Sequence, residues 1–216
     1  MSSAAEKEKG KSETDAETAW RIEPTWDDWD DSIQLGYRGR SKAQFDAMDS
    51  SRWGEEPLSS DHHPVLMSVV RGRWHDRPFT KGRMYGDVMV SAELRALLLD
   101  CDPGGVHLDP VELELGDGTV LEDRYWMLKV PRMLDALVPE KSPVAEDVSR
   151  ITGKVRGWVY LKNFTPPTLK RDVVAGHHIW RLKNLMPTEI FVSDWLKTEM
   201  ERRRLRPFKA LPAPLD

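Results

Sequence analysis

One pattern limits the folds open to this chain more than any other, because a short unit occurs twice at a constant offset of 102 residues. Asp87-Val88-Met89-Val90-Ser91-Ala92-Glu93-Leu94-Arg95 aligns with Glu189-Ile190-Phe191-Val192-Ser193-Asp194-Trp195-Leu196-Lys197. Each copy reads acid, three apolar residues, Ser, two variable positions, Leu, base. An apolar extended piece followed by Ser predicts a strand running into a helix, since a Ser side chain can accept an orphan amide of the first turn. After each helix comes Leu-x-Pro, at Leu108-Asp109-Pro110 and at Leu205-Arg206-Pro207. Two copies are too few for a solenoid, which needs about three stacked units to close a core. The pattern predicts an α+β chain with an antiparallel-rich sheet, a few short helices and two pseudo-repeated strand-helix-strand units.

The rest of the chain divides by texture. Residues 1–18 hold no aromatic or branched apolar residue and are read as a flexible acidic tail, unable to offset ordering entropy by burial. Residues 19–84 form a Trp-rich irregular layer, with a strand near residues 18–23 and a helical turn within 41–49, where Phe45 and Met48 share a face. Residues 85–216 form the α+β core, and 19–216 are expected to make one compact unit. Within the core, Leu94, Leu97 and Leu98 give the helix after Ser91 an apolar stripe. Asp102-Pro103-Gly104-Gly105 ends it. Alternation of Val111, Leu113 and Leu115 with Glu112 and Glu114, then Gly116-Asp117-Gly118, predicts a hairpin over 106–130, with Pro110 at an edge or a strand start. Residues 139–150 read as a polar loop, 154–161 as a strand, 164–176 as a Pro-containing loop and 177–182 as another strand.

Charge and cysteine usage narrow the function. The chain of 216 residues has a formal net charge of -4, yet residues 1–31 alone carry ten acids against four bases. With no basic stripe, the balance disfavours a nucleic-acid binder, which must neutralise many phosphates, and any charged partner is expected to be basic. A mean hydropathy of -0.56 and the lack of a long apolar run disfavour a membrane partner or span. A single cysteine, Cys101, forbids an internal disulfide and suggests a reducing, cytoplasmic compartment.

No residue pattern announces catalysis. His62-His63 and His177-His178 lack the Cys cluster or His-Glu-x-x-His spacing of a metal site. Cys101 follows a Leu-rich helix and reads as a packed thiol. Ser91 and Ser193 lack a Gly-x-Ser-x-Gly elbow and read as helix caps. Gly104, Gly105, Gly116 and Gly118 form no phosphate loop, so no cofactor, no metal and no catalytic residue is expected. The run Glu199 to Arg206 reads as cations complementing a helix C-terminus. Trp26-Asp27-Asp28-Trp29-Asp30-Asp31 is different: Trp offers contact area and Asp offers acceptors for Lys or Arg, a combination suited to a basic partner. The same residues also fit two inward-packed Trp side chains with solvated acids around them.

Ile179-Trp180-Arg181-Leu182, the Glu189–Lys197 unit and Leu205-Arg206-Pro207-Phe208 resemble the C-terminal signature of a bacterial immunity-protein family, immunity protein eleven. The resemblance covers about residues 85–209 and is best at 177–208. It implies an antidote that binds and blocks a cognate toxin delivered by contact-dependent or type VI secretion, often a nuclease, and so a protein that is not an enzyme. Residues 26–31 are then the expected part of the contact. The alternatives are a small hydrolase or transferase using His62, His63, His177 or His178, and a ligand-sensing scaffold that presents residues 1–18.

Overall fold

A computed structural model describes residues 18–24, 34–38, 63–72, 74, 79–81, 88–161, 165–186, 189–205 and 208–216. Three sheets carry them. The largest runs in the order β2 (Gln34–Tyr37), β3 (Val65–Arg71), β6 (His107–Glu114), β7 (Val120–Lys129), β5 (Val88–Ser91), β4 (Phe79–Lys81). A second has the order β14 (Phe208–Pro214), β1 (Thr18–Pro24), β13 (Ile190–Ser193), β11 (Ile179–Leu182), β8 (Met133–Leu134). The third is β12 (Leu185–Met186), β10 (Val155–Tyr160), β9 (Val144–Val148). Among the described residues three helices join them: α1 (Ala92–Cys101), α2 (Arg171–Val174) and α3 (Asp194–Arg202). The class is α+β and strand-rich, but the sheets are mixed. Strand β3 runs parallel to β6, β8 to β11 and β10 to β12, while the other paired strands are antiparallel.

The two similar sequence units adopt the same local connection. Strand β5 leads through α1 to β6, which runs parallel to it with antiparallel β7 between them. Strand β13 leads through α3 to β14, again parallel, with antiparallel β1 between them. Both are split β-α-β connections. Each Ser sits in extended geometry, at φ -73 and ψ 168 for Ser91 and φ -68 and ψ 160 for Ser193. The Ser91 hydroxyl accepts the Leu94 amide at 3.4 Å and the Ser193 hydroxyl the Leu196 amide at 3.1 Å. Those bonds satisfy first-turn donors that a helix start otherwise leaves unpaired.

Burial joins these units. Leu94, Leu97 and Leu98 of α1 and Leu196 and Met200 of α3 meet in one cluster with Ile22, Val90, Leu128, Ile179 and Val192. The opposite face of the five-stranded sheet buries Trp180, Leu182 and Phe191 against Ala136, Leu169 and Val174. The opposite face of the six-stranded sheet buries Leu35, Met67, Met89, Leu113 and Met127. Strand β1, from the Trp-rich part of the sequence, lies between β13 and β14 and so completes a sheet otherwise built from residues after 132.

Several elements differ from the sequence reading. Residues 139–150 are not a loop: a 3-10 turn at Pro139–Lys141 leads into β9. Only Val144 of that strand is buried, so its apolar signal was too sparse to read. The 164–176 loop contains α2, and β12 follows β11 after a two-residue turn. The strand expected over 177–182 starts only at Ile179, leaving both histidines before it. Pro110 lies inside β6 in mid-sheet, opposite Trp126 of β7, and is tolerated because the register with β3 begins only at Val65 opposite Val111, one residue beyond it. The expected helical turn in 41–49 lies outside the described residues.

Strand β10 is held close to the β11–β12 turn. The Trp158 amide donates to the Asn184 carbonyl at 2.7 Å, and a Cβ on Gly157 would stand 2.3 Å from that same oxygen. Replacing Gly157 by Ala is therefore expected to destabilise the chain by about 1–3 kcal/mol through forced backbone displacement. Urea denaturation checks this, and an unchanged midpoint would count against the close approach.

Candidate functional site

The acidic aromatic segment Trp26, Asp27, Asp28, Trp29, Asp30 and Asp31 lies outside the described residues, as does His62. The segment follows directly on β1, whose described residues are firmly tied. Trp20 donates from Nε1 to Asp194 at 2.8 Å, and the Lys197 ammonium stands 4.5 Å from its ring centroid. Arg21, only 3% exposed, donates to Glu189 at 3.1 Å. Tyr160 donates to the same carboxylate oxygen at 2.7 Å. Burial pushes the Glu189 carboxyl above its ordinary pKa, while Tyr160 and Arg21 pull the other way without cancelling it. Burial and the neighbouring Glu189 push the Tyr160 phenol upward in turn.

A second buried carboxylate sits where α1 ends. Asp102 Oδ2 accepts from the Arg132 guanidinium, from the His178 amide at 3.0 Å and from the Ile179 amide at 3.3 Å. Burial alone would raise the Asp102 pKa. The donors, with Arg132 foremost, outweigh it and hold the carboxyl below its ordinary value. Gly105 permits this packing: a Cβ there would stand 2.8 Å from Ile179 Cγ2 and 2.9 Å from Arg132 Nη1.

The histidines do different jobs. His178 Nδ1 lies 2.8 Å from the Ser193 hydroxyl, and its ring is 5.0 Å from that of Trp195. Asp102, His178 and Ser193 thus touch in series, but Asp102 binds the His178 amide and not its ring. The Ser193 oxygen is already accepting the Leu196 amide. A nucleophile needs its base oriented through the ring by a third group, and the orienting contact is missing from this series. Burial and Arg132 push His177 below the ordinary imidazole value. His63 stands just before β3, where its Nε2 lies 3.2 Å from Asp109 of β6, itself held by Lys129 at 2.8 Å. Among the described residues, no three His, Cys, Asp or Glu side chains are placed to hold a metal ion.

The remaining sequence candidates have structural roles. The Cys101 thiol donates to the Leu98 carbonyl at 3.6 Å, and burial, then Asp102, pushes its pKa up to about 12. Glu199 receives Arg202 at 2.6 Å and Arg203 at 2.7 Å, which hold its carboxyl down to about 2. The basic run is thus partly neutralised within its own helix. Arg181 was not singled out in the sequence: it is only 8% exposed, its Nε has no hydrogen-bond partner, and burial depresses its pKa.

Exposed apolar side chains single out another surface. Of nine large exposed hydrophobic residues among those described, Val148, Ile151, Val155, Leu161 and Met186 lie on the three-stranded sheet or its adjoining loops. Sequence reading missed this cluster because β9 was read as loop. No described helix is long and apolar enough to cross a membrane.

Among the described residues, Asp102, Asp109 and Glu189 are held by internal donors, and five of the nine exposed large apolar residues gather on one small sheet. Comparison with known families gives the specific class. The sequence profile of the immunity protein family (Imm11) matches residues 4–213, nearly the whole chain. The chain belongs to this family. The match takes in the Trp-rich region, beyond the 85–209 span of the resemblance seen in the sequence. A search of curated proteins found no match. Membership of this family implies an immunity protein directed against a toxin, in an inhibitory role.

Two measurements test these assignments. Asp102→Asn is expected to cost about 3 kcal/mol at pH 7, because Arg132 loses its buried counter-charge. Since the folded carboxyl titrates below the unfolded one, its contribution is present above about pH 4 and is lost as pH falls through the folded pKa. Denaturation curves against pH should show this acid limb in the parent and a weaker one in the variant. Native Cys101 should react with iodoacetamide at pH 8 roughly a hundredfold or more slowly than in denaturant, since so little of it is thiolate. Equal rates would contradict its buried assignment.

Proposed function

We propose that this immunity protein neutralises its toxin by a tight one-to-one complex that covers the toxin surface, with Trp26, Asp27, Asp28, Trp29, Asp30 and Asp31 as part of the contact. The observation that carries the reading is the family match over residues 4–213, which spans this segment. The composition supports it: four aspartates and two tryptophans in six residues provide both acceptors and contact area. The toxin then presents a basic surface, as a nuclease built to hold phosphate does, and an acidic antidote competes for that surface while electrostatic attraction speeds encounter. Delivery of such a toxin by type VI or contact-dependent secretion places the encounter in the cytoplasm. Neither nucleic acid nor membrane is a partner of the antidote in this reading.

Residues 19–216 act as one binding unit behind that surface, and the insertion of β1 between β13 and β14 supports this. We read the two split β-α-β connections as a pseudo-repeat that frames the shared core. The test is kinetic. Replacing Asp27, Asp28, Asp30 and Asp31 by Ser should slow association with the toxin by about tenfold or more at low salt and flatten its salt dependence, with a smaller effect on dissociation. Stopped-flow or surface-binding traces that are the same for parent and variant would remove the segment from the contact.

A further inference from the structure

The β9–β10 hairpin projects from the core as a stiff finger of unusual composition. Its rungs become more exposed outward: Val144 opposite Tyr160 is at the base, Glu146 opposite Trp158 comes next, and Val148 opposite Val155 is outermost. Val148 is 45% exposed, Val155 53%, and Ile151 at the turn 96%. The turn is fixed from within. The Ser149 amide donates to the Lys154 carbonyl at 2.9 Å, the Gly153 amide to the Ser149 carbonyl at 2.8 Å, and the Thr152 amide to the Ser149 hydroxyl at 3.2 Å. Gly153 adopts φ +66 there. The base is clamped through Trp158 and Asn184, and through Tyr160 and Glu189. Such a loop loses little freedom on binding, which removes a main cost of association.

Its charge has the opposite sign to the chain as a whole. From Ser149 to Arg156 there is no acid, against Arg150, Lys154 and Arg156, in a protein of net charge -4. Arg156 is paired with Asp147 at 2.8 Å, whereas Arg150 and Lys154 make no ion pair among the described residues. An apolar tip between two uncompensated cations complements a concave site with carboxylates on its walls and an apolar floor. Two cations on a chain of net charge -4 are too few to hold a nucleic acid, whose binding depends on neutralising many phosphates, and a second copy of this chain would bring the same cations into opposition.

We propose that the Ser149–Arg156 turn is a toxin-binding element, with Ile151 inserting into a cleft of the toxin while Arg150 and Lys154 pair with the carboxylates on its walls. The proposal rests on the toxin-binding function above. It also divides the contact by charge, since residues 26–31 face basic surface and the finger faces acidic surface. A cleft that gathers carboxylates inside a basic rim would present both.

The test uses the full-length chain and, as probe, an inactivated form of the toxin encoded by the reading frame beside its gene. Parent, Ile151→Asp, Arg150→Glu with Lys154→Glu, and the control Val120→Asp, which alters an exposed residue of another hairpin, are compared for binding, melting temperature and mass in solution. All should melt within about 2 °C of the parent, as expected for exposed positions. Ile151→Asp should weaken binding about tenfold or more, mainly through faster dissociation, and the charge reversal should slow association in a salt-dependent way. Val120→Asp should bind like the parent. If the parent binds and both finger variants bind equally well, the finger proposal falls while the toxin-binding function stands. If the parent fails to bind, the toxin-binding function falls and the finger with it. A parent that dimerises in a manner abolished by Ile151→Asp, or that binds anionic lipid vesicles through the same residues, would assign the surface to those partners and overturn the proposal.

Discussion

The burial of Asp102 is the constraint on which the layered structure turns. A carboxylate this far from water is tolerated only if its lone pairs are taken up, and three donors from two separated segments converge on one oxygen. Arg132 comes just before β8, and His178 with Ile179 opens β11, while Asp102 itself ends α1. One group therefore fixes the end of the helix on the six-stranded sheet against the start of a strand in the five-stranded sheet. The apolar cluster that includes Leu98, Val130 and Ile179 forms around this link. Its energy is modest beside the area buried there, but it sets the register at which that area can close. Gly105 belongs to the same constraint, since any side chain would occupy the space taken by Ile179, Arg132 and Asp102.

What could be read from the residues is what depends on neighbours in sequence. Ser91 and Ser193 announce their helices because an N-cap is satisfied within three residues, and Leu94, Leu97 and Leu98 mark the buried face by spacing alone. The hairpin of β6 and β7 was legible because alternation and a Gly-Asp-Gly turn are both local. Asp102 looked like a helix terminator, which it is, but its second role requires Arg132 and His178, thirty or more positions away. Strand β9 escaped notice because it projects outward: Val144 alone is buried, and alternation is a signal only where one face is covered. Pro110 looked like an edge marker, and it is one in the limited sense that β3 begins pairing just beyond it. The candidate contact at residues 26–31 was visible as composition, whereas the exposed finger became visible only when the strand around it was placed.

The buried charges are shared out unevenly. Asp109 with Lys129 joins neighbouring strands of the six-stranded sheet, whereas Glu189 with Arg21 and Tyr160, and Asp102 with Arg132, join segments of different layers. Arg181 shows the opposite case, lowered by burial and without a hydrogen bond at Nε, so it draws on the stability the others provide. In each acid–cation pair the polar capacity is spent inside the protein.

Glu189 connects this internal frame to both proposed contacts. Arg21 on β1 and Tyr160 on β10 meet on one of its oxygens, so the strand that precedes residues 26–31 and the strand that carries the finger's outgoing arm share a single buried anchor. Rigid support on regular elements is what lets exposed residues bind without reordering. Because burial raises the Glu189 carboxyl above its ordinary value, folding favours its protonated form more than the unfolded chain does. As pH falls through that raised value both contacts weaken together, because the Tyr160 hydroxyl and the Arg21 guanidinium each favour the charged carboxylate. The strand before residues 26–31 and the strand that carries the finger therefore depend on one ionised group, and acid loosens both supports at once.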